Sequence, residues 1–275
     1  MRETLGWYKD QWLDIDKILI SANNRGLKFG DGIFETILIR KSKPILFDEH
    51  LKRLEKSSKL LNIDLKINKI TLKQLISDGI RKLNVKNDQF ASVRINYSRG
   101  TNKDRKLKFN STLETNDSSN FWLEFFRIKP NFSPISVFIS QNEKRNEFSL
   151  ISKCKTFSYN QAIQVLREAE EKSFDDSILL NTSGELCCGS TFNLLIKRNN
   201  QWITPRKESG CLEGIMVAKA LKLKIIKEEL LLPEFQTDDI IVAINSLSCR
   251  QINQVNDLKF RPKFDPIYFW DLLYN

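Results

Sequence analysis

Two hydrophobic periods run through this chain, an alternation of apolar and polar positions in short stretches and a recurrence every three to four positions in longer ones. They separate strands from helices. Ile33–Ile39 reads as a strand, the turn-forming Arg40-Lys41-Ser42-Lys43-Pro44 follows, and Ile45–Phe47 returns, which together predict a hairpin. Asp48 stands where a helix N-cap is expected. Phe47, Leu51, Leu54 and Leu61 then share one helical face, with His50, Arg53 and Ser57 on another. Thr71–Leu83 repeats the pattern through Leu72, Leu75, Ile76, Ile80 and Leu83. Phe90–Tyr97 and Phe121–Phe126 are predicted strands, and Asn110–Asn120 between them is polar and loop-like.

Pro130 and Pro134 exclude regular structure from residues 128–134, which predicts a linker between an α/β domain over 1–127 and a second domain over 135–275. In the second half Ile135–Ser140 resumes as a strand, and Gln161–Lys172 predicts an amphipathic helix carrying Ile163, Leu166 and Ala169. Short strands follow at Ser177–Leu180, Glu185–Cys188 and Phe192–Lys197, with turns at Ser183-Gly184 and Asn199-Asn200. A helix opening near Gly214, a strand over Ile240–Ile244 and a short C-terminal helix complete a mixed α and β pattern.

Composition narrows the function more than the fold. The 275 residues suit two domains, and 41% hydrophobic with 28% charged residues is ordinary for a globular chain. No apolar run approaches the roughly 20 residues of a membrane helix, and the start lacks a signal-peptide apolar region, so the expected location is the cytosol. Five cysteines without a CxxC pair argue against secretory disulfides and a structural zinc site. The single histidine, His50, reads as a helix-face residue and makes histidine chemistry a poor expectation. The net charge of +10 comes mostly from scattered lysines, with runs such as Lys103 to Lys108. Without any nucleic-acid motif it predicts a solvated basic surface that attracts small anionic substrates rather than nucleic acid.

Four segments hold the unusual chemistry. In Arg25–Thr36 the glycines Gly26, Gly30 and Gly32 read either as turn glycines or as sites of close backbone approach. Arg53 alone reads as a helical surface arginine. Lys155 precedes a predicted helix and is either exposed or, if desolvated, an amine able to form Schiff bases. Gly210–Met216 offers a glycine-led helix start, whose free N–H groups and positive dipole end bind phosphate.

In order and spacing, FGDGIFET, EHLKRL, the Lys155 segment, SGELCCGSTFNLL and TPRKESGCLEGIM resemble the class IV (fold type IV) pyridoxal-phosphate enzymes, over about Arg25 to Val255. That family includes branched-chain aminotransferases, D-amino-acid transaminases and 4-amino-4-deoxychorismate lyases. The resemblance implies a two-domain α/β fold, a homodimer, and pyridoxal 5'-phosphate between the domains. It implies that Lys155 is the Schiff-base lysine and that Arg53, the amides at Ile215 and Met216 and the Ser246 hydroxyl hold the cofactor phosphate. Leu212 is implied on one ring face, with Tyr159 near the lysine. Met216 stands where a threonine is common, which removes one hydroxyl contact. Arg99, before Gly100, is the candidate for a substrate carboxylate, with an ordinary strand-end arginine as the alternative.

One position departs from the family. Where the family places a glutamate against the pyridine nitrogen, five residues before Asn193, this chain has Cys188, and Glu185 lies out of register for the role. A thiol is a weak donor and does not replace a carboxylate electrostatically. Transamination relies on a protonated pyridine more than an α,β-elimination does, so Cys188 points to the lyase; a class IV aminotransferase and a degenerate cofactor-binding homologue are the alternatives.

Overall fold

The computed structural model describes residues 3–101, 106–108 and 120–274. The loop-like Asn110–Asn120 stretch, apart from Asn120, and part of the Lys103–Lys108 run lie outside them. The chain divides into two compact units, one made of Met1–Lys129 with Cys154–Ser158 and the other of Pro130–Lys153 with Tyr159–Asn275.

The first unit is an antiparallel sheet with its two long helices on one face. Its strands are β1 (Thr4–Tyr8), β2 (Gln11–Leu13), β3 (Gly32–Arg40), β4 (Lys43–Pro44), β5 (Phe90–Ser98) and β6 (Asn120–Ile128), in the order β2-β1-β6-β5-β3-β4. A short helix α1 (Arg25–Phe29) precedes β3, and α2 (Phe47–Leu61) and α3 (Lys69–Leu83) separate β4 from β5. Strand alternation assigns Ile33, Ile37, Val93, Ile95, Leu123 and Phe125 to the core with Leu54, Leu72 and Ile76 of the helices. The opposite parity carries Phe34, Arg94, Asn96, Trp122 and Glu124, and the register sets Asn96 between Phe34 and Trp122 and Arg94 opposite Glu124.

Three expectations for this unit are corrected. The return strand is only Lys43–Pro44, because Leu46 turns into the left-handed region at φ 51° and α2 starts at Phe47. Leu46 therefore takes the N-cap position, and Asp48 sits in the first turn, ion-paired with Lys69 at 2.8 Å. The face carrying His50 and Ser57, set apart from the apolar one in the sequence, is itself buried at both residues, because α2 lies flat on the sheet and a polar group, Glu35, waits beneath His50.

The second unit carries β7 (Ile135–Ile139), β8 (Asp176–Leu180), β9 (Leu186–Gly189), β10 (Asn193–Arg198), β11 (Gln201–Pro205), β12 (Ile226–Glu229), β13 (Ile240–Asn245), β14 (Ser248–Val255) and β15 (Leu258–Lys259). The order β12-β11-β10-β13-β14-β7-β8-β9, with β9 pairing back onto β10, closes six strands into a ring. Its helices are α4 (Asn160–Glu171), α5 (Ile215–Lys222) and α6 (Pro266–Leu272). The Asn199-Asn200 turn is borne out by positive φ at both residues, 48° and 61°. On α4 the buried residues are Val165, Glu168 and Ala169, whereas Ile163 is 50% and Leu166 38% exposed. Glu168 turns inward because its carboxylate receives the Ser140 hydroxyl at 2.6 Å and the Gln141 N–H.

Candidate active site

Lys155 is held by backbone on the edge of β3. Phe34 N–H donates to Lys155 O at 2.9 Å, Phe157 N–H donates to Gly32 O at 3.0 Å, and Ile33 bridges Thr156. The two readings of the glycines are divided between them: Gly30, at φ 66°, caps α1, while a Cβ on Gly32 would lie 2.3 Å from the Phe157 ring. This close approach puts the Lys155 ammonium over the Phe34 ring, 4.3 Å from its centroid.

Beneath β3, Arg53 of α2 grips Glu35 with a two-pronged fork, Nε to Oε1 and Nη2 to Oε2, both at 2.7 Å. His50 Nδ1 meets Glu35 Oε2 at 2.7 Å. Burial pushes the Glu35 carboxyl up, but the charge and hydrogen bonds of Arg53, with the hydrogen bond from His50, outweigh it and hold Glu35 at about 2. Burial pushes His50 down despite Glu35, which leaves the imidazole neutral at neutral pH. The sequence places Arg53 beside other helix residues; the fold shows that Glu35 of FGDGIFET is what aims it.

A residue the sequence reading passed over occupies the other face of the sheet. A cavity of about 520 Å³ is lined by Asn24, Leu27, Arg94, Asn96, Trp122, Glu124, Phe126 and Phe157 among others. The Arg94 guanidinium stacks on Phe34, 3.6 Å from the centroid, so Arg94 and Lys155 share that ring. The signal was present in Phe90–Tyr97 as polar Arg94 and Asn96 at spacing two. Arg99, the sequence candidate, donates from Nε to Asp31 at 2.8 Å, from Nη1 to Asn62 O and from Nη2 to Leu61 O, which makes it a clamp between the end of β5, Asp31 and the end of α2.

In the second unit α5 begins at Ile215 with Gly214 as its N-cap and no side-chain cap, so its first amides are free of intrahelical partners. A Cβ on Gly214 would stand 1.8 Å from Asn193 Oδ1, and Asn193 Nδ2 donates to Leu212 O at 2.9 Å. Asn193 thus braces the Leu212–Gly214 loop against β10. Met216 is buried, Ser246 lies in the β13–β14 turn with its carbonyl accepting from Tyr274, and Tyr159 is the N-cap residue of α4.

Cys188 pairs with Asn193 across β9 and β10. Leu186 faces Leu180 and Cys188 faces Leu179, so Cys187 is the extra residue of a β-bulge. The bulge brings both thiols into one cluster with Cys211, Val165 and Leu179. The Cys187 S–H donates to Cys188 and, with Arg145 nearby, holds the Cys188 thiol below the usual range against burial and Asp176. Cys187 itself is pushed up.

A family model for amino-transferase class IV matches residues 32–255, a span that contains Lys155, Arg53, Arg94, Asn96 and the start of α5. The chain belongs to that family. It is 25% identical over 210 residues to aminodeoxychorismate lyase of Bacillus subtilis, covering 74% of this chain and 68% of the relative. It is 24% identical over 225 residues to D-alanine aminotransferase of Bacillus licheniformis, covering 78% and 73%. The crystal structure of the Escherichia coli branched-chain amino acid aminotransferase matches with a TM-score of 0.83 at 18% identity, over 95% of this chain and 91% of that one, a likeness of fold. The class IV family is pyridoxal-phosphate dependent, and the donor set fits that cofactor: an amine at Lys155, a guanidinium at Arg53, and at α5 an uncapped helix start whose glycine leaves no room for a side chain. Among the described residues no helix is long and apolar enough to cross a membrane, and no cluster of three or more His, Cys, Asp or Glu side chains is arranged for a metal ion.

Proposed function

We propose that this class IV enzyme is a 4-amino-4-deoxychorismate lyase, which eliminates pyruvate from its substrate and leaves 4-aminobenzoate, a folate precursor. The observation that carries the reading is the cavity walled by Arg94, whose guanidinium lies over the same Phe34 ring as the Lys155 ammonium. Trp122, Phe126 and Phe157 provide flat apolar walls for a ring, and Arg94 provides a cation for a ring carboxylate.

Arg53, the Ile215 and Met216 amides and the Ser246 hydroxyl would hold the phosphate of pyridoxal 5'-phosphate, with Leu212 on one ring face, Cys188 at the ring nitrogen and Tyr159 on the substrate side. When bound, the cofactor supplies an electron-withdrawing ring that acidifies the carbon bearing the substrate amine. The Lys155 amine takes the proton from that carbon. The ether C–O bond breaks with its electron pair going to oxygen, and the Lys155 ammonium returns a proton to the departing enolpyruvate, which tautomerises to pyruvate. Phe34 fixes the amine by its ring face, and Arg94 holds the carboxylate.

The test follows 4-aminobenzoate and pyruvate from aminodeoxychorismate, with Lys155→Ala beside the wild type. Stoichiometric release that vanishes in the variant supports the lyase. Amino-group transfer to 2-oxo acids without that release would instead make the chain an aminotransferase. We extend the proposal to a cytosolic homodimer, which sedimentation of the cofactor-loaded protein tests.

A further inference from the structure

Asn96 carries an unmet donor in the wall of the cavity. The residue is 1% exposed, and its Oδ1 accepts from Arg94 Nε at 2.7 Å. An arginine has no acceptor, so this bond fixes which end of the amide is oxygen and leaves Nδ2 facing away from Arg94. Nδ2 is buried and has no hydrogen-bond partner among the described residues. Its lateral neighbours in the sheet, Phe34 and Trp122, offer ring surfaces, although the Trp122 indole N–H is itself engaged by Glu124. Along the strand, the Ser98 hydroxyl already accepts from Asn24 and Gly100. Buried amide donors are almost always paired, and an unpaired one that lines a cavity calls for an explanation, which an acceptor on a bound ligand supplies. The Asn χ2 angle is broad, so a small rotation presents Nδ2 to the cavity while Oδ1 keeps Arg94.

We propose that Asn96 determines specificity in this cavity: its Nδ2 donates to a carboxylate on the substrate ring, beside the charge supplied by Arg94. Arg94 and Asn96, two residues apart on one face of β5, then form a joint seat in which the amide oxygen orients the guanidinium and the amide N–H reads the acceptor. Glu124, opposite Arg94 and bonded to Trp122, confines the anion to the Asn96 end. The inference rests on the reading of this cavity as the substrate site.

Calorimetric titration of the cofactor-loaded protein with 4-aminobenzoate and with aniline, which lacks the carboxylate, tests it without turnover. The wild type is expected to prefer 4-aminobenzoate, and Asn96→Leu to lose roughly tenfold of that affinity with its hydrogen bond while keeping its affinity for aniline. Asn96→Asp, nearly isosteric, should lose more, because it sets a carboxylate against a carboxylate. Equal losses for both ligands, no loss for either, or a wild type that does not distinguish them would overturn the proposal. Selective loss without lyase turnover would remove the lyase and leave Asn96 in place; turnover that ignores Asn96→Leu would do the reverse.

Discussion

Replacing Glu35 with glutamine removes a buried charge while keeping its shape, and the structure sets the size of the effect. The Glu35 carboxyl titrates at about 2 in the folded chain against an ordinary 4.5. At about 1.4 kcal/mol per pH unit, that difference corresponds to about 3 kcal/mol of stability. The sign is fixed by the direction. A lowered folded value contributes its full stability above pH 4.5 and loses it as the pH falls toward about 2. His50, also lowered, acts in the same direction, its contribution fading as the pH drops below 6.5. Urea unfolding followed by tryptophan fluorescence at several pH values measures both. Glu35→Gln should be about 3 kcal/mol less stable than wild type at pH 7, and the gap should close as the pH falls toward 2. The variant should also weaken cofactor affinity, since Arg53 is aimed by Glu35 through two bonds. A gap that is below about 1 kcal/mol at pH 7, or that does not change with pH, would refute the account of a buried charge held by Arg53 and His50.

Two further substitutions separate the parts of the site. Cys188→Glu should raise the ratio of amino-group transfer to elimination by about tenfold, the equivalent of one pH unit of electrostatic stabilisation, because a carboxylate holds a protonated ring nitrogen better than a thiol or thiolate; the two activities assayed side by side decide it, and an unchanged ratio removes the argument. Gly214→Ala should weaken cofactor binding by at least about tenfold, since its methyl meets Asn193 Oδ1 and must displace the loop that starts α5. Equilibrium titration with pyridoxal phosphate measures that loss, and an unaltered affinity would show that the loop gives way.

Much of the site was legible because its residues sit in motifs whose local conformation is dictated nearby. Gly214 before an apolar run announces a helix start, and Lys155, Arg53 and Cys188 were proposed for the site from their order along the chain. Arg94 was not, because an arginine in an alternating strand has the same pattern whether its face meets solvent or a cavity. The burial of His50 was hidden for a related reason: its partner Glu35 lies on another element, and only pairing across β3 and α2 makes a buried histidine tolerable. The apolar side of α4 was misjudged through Ile163 and Leu166, because the pocket over β8 takes Val165 and lets Glu168 reach Ser140. Strands such as β14, with its polar Arg250, Gln251 and Gln254, have too little alternation to stand out before their neighbours are known.

The five residues Cys154–Ser158 belong to the first unit although the chain on both sides of them belongs to the second. The protein is therefore woven rather than strung, and its halves are not interchangeable parts. A fragment ending at Lys129 would lose the stretch that covers the edge of β3, leaving Phe34 N–H and Gly32 O without their partners. A fragment starting at Pro130 would carry the lysine but none of the sheet that holds it. Recombination between relatives would have to exchange β3 and the Lys155 stretch together, so Lys155 and its seat are inherited as one piece despite the 120 or so residues of sequence between them.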